Sequence, residues 1–200
     1  MSLEPESPRL RRAYFECRYG QLHVHNAIPA GGGFDEQTTL ICLHASSTTG
    51  RVFLEFSKLL GTSRSIYSPD TPGCGESDAP PRQIAVSGYA EAMGDFLDSM
   101  RFRQVDLLGV GAGAAVAVEL ALGRPKIVRK LYLLGVAGKE TPAPGAGMQA
   151  LQGAASEWHA DRRQLVKQPV FANEEDTSAD KFQASAQALS TRLAEFFSGQ

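Results

Sequence analysis

The residues best placed to do chemistry lie in the run Val105-Asp106-Leu107-Leu108-Gly109-Val110-Gly111-Ala112-Gly113-Ala114-Ala115. It reads as a buried strand, a tight glycine turn and a helix that continues to Leu122, where Gly123-Arg124-Pro125 stops it. Two chemistries use such a turn. A nucleophile elbow, Gly-x-Ser-x-Gly, lifts a serine above a sheet so that it can attack a carbonyl. A dinucleotide fingerprint, Gly-x-Gly-x-x-Gly/Ala, cradles a pyrophosphate at the helix start. Gly109 and Gly113 hold the two glycine places of the elbow, with Gly111 where the serine belongs; Gly109, Gly111 and Ala114 match the fingerprint. The fingerprint also wants an acidic residue about 20 positions on. The next strand, Lys130 to Val136, ends in Leu-Gly-Val-Ala-Gly without one, and the turn sits mid-chain behind several strands. The elbow is the better reading, and Gly111 is then a degenerate nucleophile position.

The elements around this turn follow from hydrophobic period and punctuation. Residues 1–12 read as a flexible leader, followed by two short strands, Ala13 to Arg18 and Gln21 to Ala27, in a hairpin around Tyr19-Gly20. His23 and His25 share one face of the second strand and suit a metal, but no third ligand stands nearby in sequence. They are expected to face solvent. Thr38 to His44 is a continuous apolar strand, Arg51 to Leu60 has a helical period, and Ser63 to Ser68 is another short strand. Asp70-Thr71-Pro72-Gly73-Cys74-Gly75-Glu76-Ser77 can only be a turn, and a helix runs from about Ala85 to Met100. The elbow strand and helix come next, then a strand from Ile127 to Val136. Strand and helix thus alternate from 38 to 136, which argues for βαβ units and a parallel sheet. Beyond Gly138 the pattern turns helical, with stretches near Gly147–Val166 and Ala179–Phe197; the one β-candidate, Val170-Phe171-Ala172, is short and follows Pro169.

Taken together, the motifs resemble the α/β-hydrolase fold superfamily. Leu43-His44-Ala45-Ser46 after a buried strand resembles its His-Gly-x oxyanion loop. Asp70 to Ser77 resembles its Asp-x-x-Gly-x-Gly-x-Ser turn, Leu107 to Gly113 its elbow, and Arg124-Pro125 to Leu134 the stretch leading into the next strand. The order and spacing also match, over about residues 13–138. The resemblance implies an α/β parallel-sheet sandwich with an N-terminal edge hairpin and a helical C-terminal region. It divides the chain into a leader at 1–12, a core at 13–140 and a cap-like or remnant region at 141–200.

An acyl hydrolase needs an activated nucleophile, a base oriented by an acid, and donors aimed at the developing oxyanion. The resemblance assigns the donors to the backbone N–H of Ala112 and one from Ala45 or Ser46, with His44, Gly109 and Gly113 as support. The nucleophile is absent. Cys74 and Ser77 are poor substitutes, the first without a histidine neighbour in view, the second suited to bonding the turn backbone. The family's acid and base come late, beyond the cap; Glu140 and His159 are the candidates named here, against the readings of a solvated loop residue and a surface histidine. Three functions stay open: a divergent hydrolase of small esters, lactones or related carbonyl compounds, a non-catalytic pseudo-hydrolase that binds a ligand or protein, and an N-terminal fragment of a longer hydrolase.

Composition narrows the partners. Two hundred residues, 42% hydrophobic and 21% charged, suit one soluble core, and the formal net charge of −2 with no basic cluster argues against nucleic acid. Nothing has the apolar length of a membrane span. Cys17, Cys42 and Cys74 lack metal spacing and suit a reduced, cytoplasmic setting. No cofactor is expected. The apolar stripe Phe182, Leu189, Leu193, Phe196 and Phe197 is expected to cover the sheet or to make a homodimer contact.

Overall fold

A computed structural model of the chain describes residues 6–32, 37–135, 145–173 and 186–198. Strands β1 (Arg9–Cys17) and β2 (Gly20–Ile28) form the expected hairpin. It is longer than its sequence suggested. Arg9 to Arg12 pair with Ile28 to His25, so the end of the supposed leader is strand. Its side chains are exposed, and the ladder to β2 holds it rather than burial.

Strands β3 (Thr39–Leu43), β4 (Ile66–Pro69), β5 (Val105–Val110) and β6 (Val128–Leu134) follow. Helices α1 (Leu54–Leu60), α2 (Val86–Ser99) and α3 (Ala112–Gly123) connect them. The stretch from Gly147 to Val166 is not one helix. It is α4 (Ala146–Ser156) and then a 3₁₀ segment, Ala160–Leu165. Between them the Trp158 indole N–H donates to Glu119 Oε1 at 2.8 Å.

Val170–Asn173 is strand β7, paired parallel to β6 from Leu131↔Val170 to Leu134↔Asn173, so the short candidate that sequence left unconvincing does join the sheet. Helix α5 (Ala186–Ser198) ends the described chain, and Phe182 lies outside the described residues. Among the described residues the sheet has seven strands in the order β1-β2-β4-β3-β5-β6-β7. The pairs β1/β2 and β2/β4 are antiparallel and the others parallel.

Side chains alternate between two faces, as a pleated strand requires. Ile41, Leu43, Val105, Leu107, Leu131 and Leu133 pack against α2 and α3. Small residues all round α3 let it lie close to the sheet. On the other face Leu40, Cys42, Ile66, Leu108, Val110 and Tyr132 meet Phe56 and Leu60 of α1 and Leu189, Leu193 and Phe197 of α5. The C-terminal stripe therefore covers the sheet. Each such side chain contributes about 1.5–3 kcal/mol on burial.

A charged cluster underlies the second face. Asp106, fully buried in β5, takes two bonds from Arg129, Nε to Oδ1 at 2.8 Å and Nη2 to Oδ2 at 2.6 Å, and faces buried Arg64 at 3.4 Å. Arg129 Nη2 also donates to the Phe197 carbonyl at 2.8 Å, and Lys130 Nζ to that of Phe196 at 3.1 Å. The cations thus hold the last carbonyls of α5, where the helix dipole is negative.

Candidate functional site

The elbow exists. β5 runs into Gly111 at φ 55° and ψ −123°, and α3 starts at the next residue. Positive φ disfavours most side chains and suits glycine. Gly111 N–H donates to the Leu134 carbonyl at 2.9 Å, and its own carbonyl accepts from Ala114 N–H at 2.9 Å, which fixes the turn between β6 and α3. The flanking glycines are sterically required. A Cβ on Gly109 would stand 2.6 Å from Ala114 Cα, and one on Gly113 would stand 2.2 Å from the Leu43 carbonyl oxygen. The motif keeps the residues its backbone needs and lacks the one its chemistry needs.

The loop that follows β3 is held just as firmly. His44 is fully buried; its Nδ1 bonds the Ala45 carbonyl at 2.8 Å and its Nε2 accepts the Thr71 N–H at 2.9 Å. Those two bonds assign the proton to Nδ1 and leave neither nitrogen to serve as a base. Burial holds the His44 pKa below the ordinary range. The Ala45 carbonyl also accepts from Thr48 N–H and Oγ1, both at 3.1 Å. Ala45 and Ser46 are buried beside it.

Asp70 organises the turn that follows β4. Its Oδ1 accepts Gly50 N–H at 2.7 Å, and its Oδ2 accepts Glu76 N–H at 3.1 Å and contacts His23 Nδ1 at 2.9 Å. Gly75 has φ 54° and passes so close that a Cβ would stand 2.0 Å from Asp70 Oδ2. Ser77 donates its hydroxyl to the Asp70 carbonyl at 2.7 Å and accepts His23 N–H at 2.9 Å. It serves the backbone, as its place in the turn predicts.

Cys74 is buried, and burial with Asp70 nearby pushes its thiol up to about 12, which disfavours the thiolate a nucleophile needs. His159 is exposed and lines a groove of about 340 Å³ with Trp158, Arg162 and Glu119. Glu119 lies about two turns along α3 from the elbow. Glu140 lies outside the described residues. His23 corrects its sequence reading: it is buried rather than solvent-facing, because β4 brings Asp70 against it. His25 is half-buried. Sequence reasoning missed Asp70, whose only signal was its position at the head of the turn.

Comparison with known proteins follows the same lines. A family model described as "Alpha/beta hydrolase family" matches residues 40–199. The 2-hydroxymuconate semialdehyde hydrolase of Pseudomonas sp. (strain CF600) is 31% identical over 132 residues, 64% of this chain and 45% of that protein. The poly(3-hydroxyalkanoate) depolymerase of Ectopseudomonas oleovorans is 27% identical over 108 residues, 54% of this chain and 38% of that protein. The chain spans about half the length, or less, of these curated relatives. Among solved structures, Cfl2 from Burkholderia cenocepacia superposes with a TM-score of 0.72 at 15% identity, covering 94% of this chain and 96% of that one. The N-acyl homoserine lactonase AidH gives 0.67 at 16% identity, covering 94% and 96%. At such identities the likeness is one of fold. Among the described residues no helix is long and apolar enough to cross a membrane.

Proposed function

The chain belongs to the alpha/beta hydrolase family, and on that premise we propose that it is a member without the serine, whose elbow region binds a small ester, lactone or related carbonyl compound without ordinary acyl-enzyme turnover. One observation carries the reading: the elbow centre is Gly111, in elbow geometry and without a side chain to attack a carbonyl. Loss of a triad nucleophile lowers turnover by about 10⁶-fold. The assistance left to such a site is electrostatic. On this reading its donors are the Ala112 N–H at the start of α3 and one N–H from Ala45 or Ser46, and its orientation rests on His44, Gly109 and Gly113.

The histidines support the same reading. Of the four in the chain, His44 is held by Ala45 and Thr71, His23 by Asp70, His25 lies beside His23, and His159 lines the groove at Glu119. On this reading none serves as a base for residue 111. For the acid, the carboxylates Glu174, Glu175 and Asp176, which continue the sequence after β7, fit the family order better than Glu140. A reducing compartment such as the cytoplasm suits three unpaired thiols.

The test is turnover of a small activated ester by this chain beside Gly111→Ser, with melting curves for both. The expected result is no acyl-enzyme burst from the parent, and a rise in melting temperature with a small lactone. A burst from Gly111→Ser alone would identify the missing hydroxyl as the only lesion. Parent turnover that Gly111→Ser leaves unchanged would overturn the reading.

The share of the 2-hydroxymuconate semialdehyde hydrolase that the chain spans, 45%, supports a second reading, a piece of a longer hydrolase. Among the described residues β7 is an edge strand, and an edge left open there would drive self-association, visible as concentration-dependent mass in light scattering. A monomer at all concentrations would count against it.

A further inference from the structure

A second cluster of chemically capable side chains gathers at Asp70, whose Oδ1 holds Gly50 N–H and whose Oδ2 meets His23. His23 and His25 stand two residues apart on β2 and so point to the same face. Their rings lie edge to face, 4.7 Å between centroids. β2 pairs antiparallel with β4, and Asp70 N–H donates to the His23 carbonyl at 2.8 Å, which brings the Asp70 carboxylate to the same face. One ligand atom from each of His23, His25 and Asp70 lies within 4.8 Å of the other two.

We infer that His23, His25 and Asp70 form a binding site for a divalent transition-metal ion of the zinc type, separate from the elbow. Two imidazoles and one carboxylate are a donor set that such ions take with a further position open to water. Bonds of about 2.0–2.1 Å in tetrahedral array separate neighbouring ligand atoms by about 3.3 Å. His23 Nδ1 and Asp70 Oδ2 already stand 2.9 Å apart. His25, half-buried, supplies the third ligand atom.

The carboxylate is oriented before any ion arrives. Gly50 N–H holds Oδ1 and Glu76 N–H holds Oδ2, the outer-shell support that ligating carboxylates require. The Glu76 carboxylate, bonded by the Tyr14 hydroxyl at 2.7 Å, adds negative charge close to His23. Arg12 opposes it from 3.9 Å on the solvent side. An ion at Asp70 would brace both Gly50 and, through the adjoining Thr71, His44, so its occupancy stiffens the loop that borders the elbow.

The experiment is calorimetric titration of the full chain with zinc chloride, with Co²⁺ absorption spectra alongside. The chain should bind one equivalent of Zn²⁺ and melt at a higher temperature with it. His25→Ala should weaken binding at least tenfold while still melting cooperatively without metal, and His159→Ala should bind as the parent does. If His25→Ala does not fold, His25→Gln gives the same comparison, and the parent's Co²⁺ spectrum decides independently. A nitrogen and oxygen ligand field supports the site. Thiolate charge-transfer bands, no stoichiometric binding, or unchanged binding in the His25 variant would overturn it.

Discussion

The carbonyl oxygen of Leu43 lies 2.2 Å from where a Cβ on Gly113 would stand. The end of β3 and the first turn of α3 are therefore in backbone contact, and that contact sets how the loop after β3 faces the elbow. Gly113→Ala must push the two apart. We expect a loss of about 1–3 kcal/mol, the range for an overpacked core, read as a lower urea midpoint at unchanged slope. An unchanged midpoint would mean that the helix can shift away from β3 at little cost.

Asp106 is the only carboxylate bonded to Arg64 and Arg129 among the described residues. Asp106→Asn leaves Arg64 buried without a counter-charge, and such removals cost about 3–5 kcal/mol. Arg129 is partly exposed, so Arg129→Ala should cost clearly less. Equal losses in chemical denaturation would place the energy in Arg129 instead.

Thiol reactivity should rank by burial. Burial raises the pKa of all three cysteines, Cys74 to about 12, but Cys17 alone is partly exposed. In the native protein at pH 8, iodoacetamide should modify Cys17 first and leave Cys42 and Cys74 intact, with all three labelled in denaturant. Mass spectrometry of the digest reads the order. Rapid labelling of Cys74 would reopen it as a nucleophile.

Acid should destabilise the fold through His44. Its folded pKa lies below the ordinary value of 6.5 because burial disfavours the cation. Above pH 6.5 both folded and unfolded chains carry it neutral. As pH falls below that value the unfolded chain takes up a proton that the folded chain resists, so stability drops, by at most about 1.4 kcal/mol per pH unit for one group. His44→Gln should flatten the fall in urea midpoint between pH 7 and pH 5.5. A variant with the same pH slope as the parent would assign the effect to other groups.

Local signals carried most of the fold. Apolar runs gave the inner strands, i, i+3 and i+4 spacing gave α2, and Gly109, Gly111 and Gly113 gave the elbow. Each of these is decided within a few residues. The strand β7 was not legible as such, because only four residues are involved and their strand character comes from pairing with β6 across a long crossover. Arg9 to Arg12 look like a tail for the same reason: the partner, not the side chains, makes them strand. Within the candidate site, His44 and Ser77 could be placed from their motifs. The meeting of His23 with Asp70 could not, since 47 residues separate them and only the β2/β4 register joins them.

The docking of α5 has a consequence for how the protein is made. The sheet face that carries Leu40, Leu108, Val110 and Tyr132 is complete once β6 has formed, yet its cover includes Leu189, Leu193 and Phe197 from far along the chain. On the ribosome, at about 5–20 residues per second, that apolar face stays open for several seconds after the strands have emerged. The nascent chain therefore carries this face without its C-terminal cover until α5 arrives.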